Sequence, residues 1–116
     1  MESVPQRRFF SIIDGIIAGE RDGPMKAIPK AVGRVIGGEN LIAVDVIATM
    51  LMGFDPNKLK YLTHLLKPHR YNLSINIEDI VVESNVQKYK DIFTLPRKET
   101  LCFDAPQTWE GYMELE

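Results

Sequence analysis

The residues of this sequence that could do chemistry are carboxylates placed beside glycines and apolar runs. There are five, namely Asp14, Glu20, Asp22, Glu39 and Asp45. Magnesium and calcium prefer oxygen ligands, and carboxylates from separate loops at strand ends commonly supply them. If the five side chains converge, they form a site for a divalent cation. The predicted metal ligands are Asp14, Glu20, Asp22 and Asp45, and the wider predicted ligand-binding set adds Gly23, Glu39 and Asn40.

Glu20, Asp22 and Glu39 also have a purely structural interpretation. Aspartate often makes local hydrogen bonds in turns, and an exposed glutamate needs no partner. On this interpretation the three residues are solvated turn residues and bind nothing. The sequence leaves both interpretations open.

Asp45 differs because it stands inside the apolar run Leu41 to Met52, which predicts a buried helix. Burying one ionised carboxylate costs several kcal/mol unless it is paired, hydrogen-bonded or bound to a metal. Two partners are equally compatible with the sequence. One is the backbone amides of the neighbouring glycine-rich loop, which would pin strand to helix, and the other is a ligand.

Other site chemistries have weaker patterns. Gly37-Gly38-Glu39-Asn40 before a helix resembles an anion-binding loop, but it lacks the full nucleotide-binding motifs, and Glu39 would repel a phosphate. His64 and His69 have no third ligand at a recognisable spacing, so a surface position is predicted. Cys102 is the only cysteine. An internal disulfide or an iron–sulfur cluster, which needs about four thiolates, is therefore not expected.

Length and charge restrict the class of protein. The 116 residues predict one α/β domain spanning residues 1–116. A net charge of -2 gives no reason to expect binding to nucleic acid. Neither the short run from Phe9 to Ala18 nor Leu41 to Met52 approaches the ~20 apolar residues of a membrane span. We therefore expect a cytoplasmic protein with no membrane partner.

The first half of the chain predicts two strands separated by a long loop. Phe9 to Ile17 is rich in β-branched and aromatic residues, and Val32 to Ile36 is a second short apolar run. Between them, Gly19 to Gly33 contains glycines, prolines and lysines that break helix and strand periodicity. We expect Glu20 to Gly33 to be mobile and to become ordered only with a ligand or partner. This acidic loop would carry the candidate site.

Two helices and a third strand are predicted next. Asn40 suits the N-cap of a helix from Leu41 to Met52, and Gly53 suits its C-terminal cap. Asp55-Pro56 begins a second helix whose leucine stripe ends before Pro68.

The last predicted strand is Ile77 to Glu83, followed by irregular chain held by single aromatic residues and a frayed end. The expected fold class is therefore α/β. It consists of a small mixed or parallel sheet packed by a buried helix and a second, amphipathic helix.

Two blocks of sequence carry a family resemblance. The run from Ile13 to Glu20, followed by Asp22-Gly23-Pro24, resembles the signature DGI-x-x-x-E-G-x-GP of the domain of unknown function 362 family. The segments Gly38-Glu39-Asn40, Ala43-Val44-Asp45 and 52–56 resemble a second block of that family, in the same order. Arg21 departs from the pattern, since a small residue is expected there.

The resemblance implies that the chain is equivalent to the C-terminal part of a longer family domain whose upstream α/β portion is absent. Some family members carry ferredoxin-like cysteine motifs, which Cys102 alone cannot reproduce. The resemblance implies no substrate or reaction, so whether the chain is an enzyme stays open.

Two functions are therefore expected. One is a ligand- or cation-binding α/β domain, and the other is a non-catalytic structural or protein-interaction domain. Because open strand edges and apolar patches favour association, the expected partner is a second copy or a protein supplying the upstream portion.

Overall fold

The computed structural model describes residues 7–67 and 75–116, which form a mixed α/β fold. Two strands come first, β1 (Ser11–Asp22) and β2 (Lys26–Gly38), and two helices follow, α1 (Leu41–Met52) and α2 (Lys60–Leu66). Short 3-10 turns occupy Pro56–Lys58, Ile77–Asp79, Gln87–Thr94 and Arg97–Glu99. No helix in the described ranges is long and apolar enough to cross a membrane.

The sheet is a two-stranded antiparallel hairpin, so the prediction of a mixed or parallel sheet is wrong. The register runs from Ser11 opposite Gly38 to Asp22 opposite Lys26, and it shifts between Gly15 and Ile17, where a β-bulge in β2 places two residues opposite Ile16. Antiparallel pairing needs only a tight turn, which residues 23–25 supply.

The long loop predicted from Gly19 to Gly33 is also wrong, because most of these residues form the distal halves of β1 and β2. Gly19 pairs with Pro29, and Glu20 pairs with Ile28. Proline is tolerated there because each strand of a two-stranded sheet has one free edge, where a missing N–H breaks no ladder bond. The predicted mobile acidic loop is thus a paired ribbon.

The predicted caps of α1 are confirmed. The Asn40 Oδ1 accepts a hydrogen bond from the Ala43 N–H at 3.0 Å. Gly53 ends the helix in the left-handed conformation, at φ 97°, and its N–H donates to the carbonyl of Met50. Asp55 caps the 3-10 turn Pro56–Lys58 instead of a longer helix, because Leu59 returns to extended backbone before α2 begins.

The core consists of two clusters. The α1 cluster joins α1 to α2 and to the turn Gln87–Thr94, and its buried members are Ile42, Val46, Met50, Leu51, Leu62, Tyr89 and Ile92. The Phe54 cluster consists of Phe54, Phe103, Ala105 and Met113, with Trp109 packed edge-on to the Phe54 ring. The inward face of the hairpin packs on both clusters, through Ile36 on the first and through Ala18 and Val32 on the second.

The strand predicted from Ile77 to Glu83 is absent from the described residues. Ile77–Asp79 is a 3-10 turn. Residues 80–86 have extended backbone at Ile80 and Val86 and a bend at 85–86, and they join no sheet among the described residues. Burial alternates along this segment, and Ile80 and Val82 pack against the α1 cluster. The alternating pattern of this segment therefore matches an extended chain, but none of the described strands pairs with the segment.

The C-terminal end is ordered by hydrogen bonds, so the prediction of a frayed end is wrong. The Leu115 N–H donates to the Gly53 carbonyl at 2.9 Å, and the Asp55 N–H donates to the Met113 carbonyl at 2.8 Å. His64 is exposed on α2, in agreement with the predicted surface position, whereas His69 lies outside the described residues.

Candidate functional site

Glu20 and Asp22 attach the distal hairpin to the C-terminal segment. The Glu20 Oε2 accepts the Asp104 N–H at 2.7 Å and lies 3.6 Å from the Lys30 Nζ. The Asp22 Oδ1 accepts the Gln107 N–H at 2.9 Å. Hydrogen bonds to an ionised acceptor are about twice as strong as neutral ones. Both carboxylates therefore already serve the fold at the positions predicted to bind a ligand.

Arg21 strengthens the same junction. Its backbone is left-handed, at φ 70°, which explains why a small residue would suit this position. Its N–H donates to the Asp104 carbonyl at 3.0 Å, and its guanidinium contacts Glu110 at 2.8 Å and the Asp104 carboxylate at 3.5 Å. The long side chain of Arg21 therefore forms ion pairs with the C-terminal segment.

Asp14 and Glu39 lie elsewhere. The Asp14 Oδ1 accepts the Ile16 N–H at 3.2 Å, where the register of the hairpin shifts. Glu39 forms an ion pair of 2.6 Å with Arg8, and both side chains are mostly exposed. Exposed pairs of this kind contribute little to stability. Gly23 is in the hairpin turn, far along the ribbon from Glu39.

Asp45 is half-buried, on the side of α1 that faces α2, and its Oδ2 accepts the Tyr61 hydroxyl at 3.4 Å. Partial burial, and then the negative charge of Asp45, raise the pKa of the Tyr61 hydroxyl above its usual value. Its described partner is thus neither a glycine-loop amide nor a ligand.

The structure does not bring the predicted ligands together. Within residues 7–67 and 75–116, no group of three or more histidine, cysteine, aspartate or glutamate side chains is placed to hold a metal ion. Of the seven predicted residues, Glu20 and Asp22 share one junction with the C-terminal segment, and Glu39 and Asn40 share the start of α1.

A groove of about 650 Å³ lies between β2 and the extended segment 79–86. Sequence reasoning missed it, although both walls left a signal. Gly37 and Gly38 mark one wall, and the β-branched run Ile80 to Val82 marks the other. The floor is apolar and comes mainly from α1 and from Tyr89 and Ile92.

Arg34 is the basic residue of this groove, and sequence reasoning did not single it out. Its Nη1 donates to the Val32 carbonyl at 3.0 Å, and its guanidinium lies 5.7 Å from the centre of the Tyr89 ring. Its Nε is buried and has no hydrogen-bond partner among the described residues.

The outward face of the hairpin is apolar and exposed. Ile12, Ile17 and Val35 are 67%, 71% and 62% exposed, and Phe10 and Ile16 extend the same surface. Asp14, paired with Val35 in the ladder, is the acidic residue in its middle. Exposed apolar side chains that lie together on one face typically mark an interaction site.

Comparisons with known proteins give one partial similarity. No protein-family model matches the sequence, and no solved structure matches it significantly. A thylakoid-associated protein of Synechocystis sp. (strain ATCC 27184 / PCC 6803 / Kazusa) is 39% identical over 46 residues, which are 40% of this chain and 14% of that protein. The chain therefore spans only a small part of this curated relative, and the thylakoid association in its name is a property of that protein.

Proposed function

We propose that the chain is a non-catalytic protein-interaction domain whose apolar outer sheet face packs against another protein layer. The observation that carries the proposal is the exposure of Ile12, Ile17 and Val35 on one face of the hairpin. The opposite face already packs on the core of the chain. The solvated face of an antiparallel sheet usually carries polar side chains, so an apolar outer face fits contact with a second layer.

The second layer that we propose is the upstream α/β portion of a longer family domain. The resemblance to the domain of unknown function 362 family supports this occupant, because it aligns the chain with the C-terminal part of that domain. The partial match to a much longer relative is compatible with it. A two-stranded hairpin is also marginally stable on its own, so added strands or helices would stabilise it.

The alternative function, cation or ligand binding by the acidic residues, has less support. Glu20 and Asp22 are engaged with backbone amides, and Glu39 is paired with Arg8. Titration with magnesium, calcium, manganese and zinc, followed by amide chemical shifts, tests it directly. Saturable shifts at Asp14, Glu20, Asp22 and Asp45 together would favour the cation site over the interaction domain.

The interaction is tested by mixing this chain with the upstream portion of a family member and measuring the mass of the product by sedimentation. We expect a one-to-one complex with the unchanged chain. Ile17→Lys places a charge in the apolar face and should abolish the complex. Met25→Lys is the matched control, because Met25 is 91% exposed but lies in the hairpin turn, outside the face.

Three results separate the occupants. A complex that Ile17→Lys disrupts and Met25→Lys preserves supports the proposal. Self-association of the chain with no complex would assign the face to a second copy. A monomer that neither binds the upstream portion nor self-associates would remove the interaction function.

A further inference from the structure

One wall of the groove is the free edge of β2. Among residues 7–67 and 75–116 the sheet has two strands, so β2 pairs with β1 along one edge and has no described partner along the other. All residues from Gly33 to Gly38 line the groove, both those whose side chains face the core and those whose side chains face outward. Consecutive residues line a cavity together when a strand presents its edge, because alternate side chains point to opposite faces.

The other wall is the segment 79–86, in which several backbone N–H groups have no hydrogen-bond partner among the described residues. Residues 79–86 all line the groove, and the backbone is extended at Ile80 (φ -79°, ψ 121°) and at Val86 (φ -105°, ψ 111°). The Ile80 N–H donates to Ile77 and the Val86 N–H donates to the Ser84 side chain. Between them, the N–H groups of 81–85 form no hydrogen bond with another described residue.

The space between the walls suits one extended polypeptide. Six residues of strand span about 20 Å, the length of β2 that lines the groove. The volume of about 650 Å³ falls within the ~300–1,000 Å³ typical of ligand pockets. The apolar floor includes Val44, Ile47 and Leu51, which would contact the inward side chains of such a strand.

The charges of the groove indicate which peptide it would accept. Among the residues that the structure describes, three carboxylates line it, from Glu39, Asp79 and Glu83, against one guanidinium, that of Arg34. Glu39 is partly neutralised by Arg8, whereas Asp79 and Glu83 stand on the exposed rim. Complementary charge selects partners, so a peptide with lysine or arginine on its outward side is favoured.

We propose that this groove binds a basic, extended peptide segment as a middle strand between β2 and residues 80–86. Main-chain hydrogen bonds to both walls would supply affinity, and the apolar floor with the acidic rim would supply selectivity. This site is separate from the outer sheet face and does not depend on the function proposed for that face.

The experiment selects peptides of about eight residues from a randomised display library against the complete chain. Enriched peptides are synthesised, and their affinity is measured by fluorescence polarisation. Each is also made with N-methyl groups at alternate backbone positions, which removes main-chain donors without changing the side chains. We expect alternating apolar sequences with lysine or arginine. N-methylation in either of the two alternate registers should weaken binding about tenfold or more, because alternate N–H groups of a middle strand face opposite walls.

Two protein variants provide a matched pair. Glu83→Lys reverses a charge on the rim of the groove and should weaken binding about fivefold. Glu78→Lys makes the same change on an exposed residue that does not line the groove, and it should leave the affinity unchanged. Amide exchange should slow within 33–38 and 81–85 when the peptide is bound.

Four results would overturn the proposal. They are the absence of any enriched peptide, enrichment of sequences without basic residues, equal binding by both N-methylated registers and the parent peptide, and equal effects of Glu83→Lys and Glu78→Lys. Loss of binding with Ile17→Lys but not with Glu83→Lys would place the peptide on the outer sheet face and would also overturn it.

Discussion

Glu20 and Glu39 are two glutamates of the predicted site with different surroundings. The Glu20 side chain is 13% exposed and accepts a backbone N–H, whereas the Glu39 side chain is 66% exposed and forms an ion pair with Arg8. We expect Glu20→Ala to lower the free energy of unfolding by about 1–3 kcal/mol, since the Asp104 N–H and Lys30 lose their partner. We expect Glu39→Ala to change it by less than about 0.5 kcal/mol.

Urea denaturation of the two variants and the unchanged chain measures both values. Equal, small effects would show that the Glu20 hydrogen bond does not hold the C-terminal segment. A raised stability of Glu20→Ala would instead indicate a carboxylate kept at a cost for binding a ligand.

Tyr61 provides a prediction about pH. Its pKa is raised by partial burial and by Asp45, so the folded chain holds this proton to higher pH than the unfolded chain does. The stabilisation is complete below the usual tyrosine pKa of about 10 and is lost as pH rises through the higher folded value. Asp45→Asn should lower the Tyr61 pKa without restoring it fully, because burial remains.

The ring carbon shifts of labelled tyrosine followed by NMR between neutral and alkaline pH report this titration. Tyr112 is the internal control, since it is exposed and distant from Asp45 in the chain. An unchanged Tyr61 titration in Asp45→Asn would exclude the contact between the two side chains.

The helix caps could be predicted from the sequence because their signals are local. The partners of Glu20 and Asp22 could not, because they lie far along the chain. Asn40, Gly53 and Asp55 act on amides or carbonyls within a few residues, so residue type and position were sufficient. Glu20 and Asp22 contact amides 84 and 85 residues further along the chain. No local pattern encodes those partners, and for this reason the same carboxylates resembled a cation site.

At the scale of elements, the end of α1 depends on a glycine for two reasons. Gly53 has φ 97°, and a Cβ there would lie 2.5 Å from the Arg97 Nη1 and 2.8 Å from the Thr100 Oγ1. Gly53→Ala should therefore cost about 1–2 kcal/mol for the left-handed backbone and more for displacing Arg97. Arg97 donates to the carbonyls of Gly53 and Phe103, so both would weaken.

Gly111→Ala is the matched control for that substitution. Gly111 also has positive φ, at 73°, but its added Cβ would meet nothing within 4 Å. We expect it to cost only the backbone part, about 1–2 kcal/mol, in chemical denaturation. Equal losses of unfolding free energy for the two variants would show that the Arg97 side chain can move aside at no cost in stability.

The hairpin and the extended segment 80–86 should differ in hydrogen exchange. Ladder amides in the distal part of the hairpin, from Ile17 to Lys30, are paired, whereas those of 81–85 have no described partner. We expect slower exchange for the inward-facing ladder amides than for 81–85 in the free chain. Faster exchange in the distal hairpin than in 81–85 would show that this part of the hairpin is mobile, as its composition predicts.

Composition misled the prediction of these elements for a physical reason. Glycine, proline and lysine between Gly19 and Gly33 weaken an isolated strand, but the junction of Glu20, Arg21 and Asp22 with the C-terminal segment holds the ribbon. Conversely, Ile80 to Val82 have strand-forming side chains, but no strand of the described residues is hydrogen-bonded to them. Pairing is a tertiary property that residue preference alone does not decide.

At the scale of the whole molecule, the last residues complete the core. Met113 is buried beside Phe54, and its carbonyl accepts the Asp55 N–H. Met113→Ala should lower the free energy of unfolding by about 2–5 kcal/mol, since it leaves a cavity. Tyr112→Ala should cost less than about 1 kcal/mol, because this ring is exposed and contacts mainly Lys58.

Thermal unfolding followed by circular dichroism compares the two neighbours under one condition. Similar midpoints for Met113→Ala and Tyr112→Ala would mean that the C-terminal segment separates from the core before the rest of the chain unfolds. A lower midpoint for Met113→Ala alone is the expected result.

The composition of the Phe54 cluster also sets an order of events during synthesis and refolding. The side chains that form it or pack against it come from the hairpin, from the chain after α1 and from residues 101–113, so they are distant in sequence. Contacts between distant residues close slowly because the intervening chain must be ordered first. On a ribosome, Phe54 would remain uncovered until its late partners emerge. A nascent chain stalled before residue 101 is therefore expected to recruit a chaperone at this aromatic side chain.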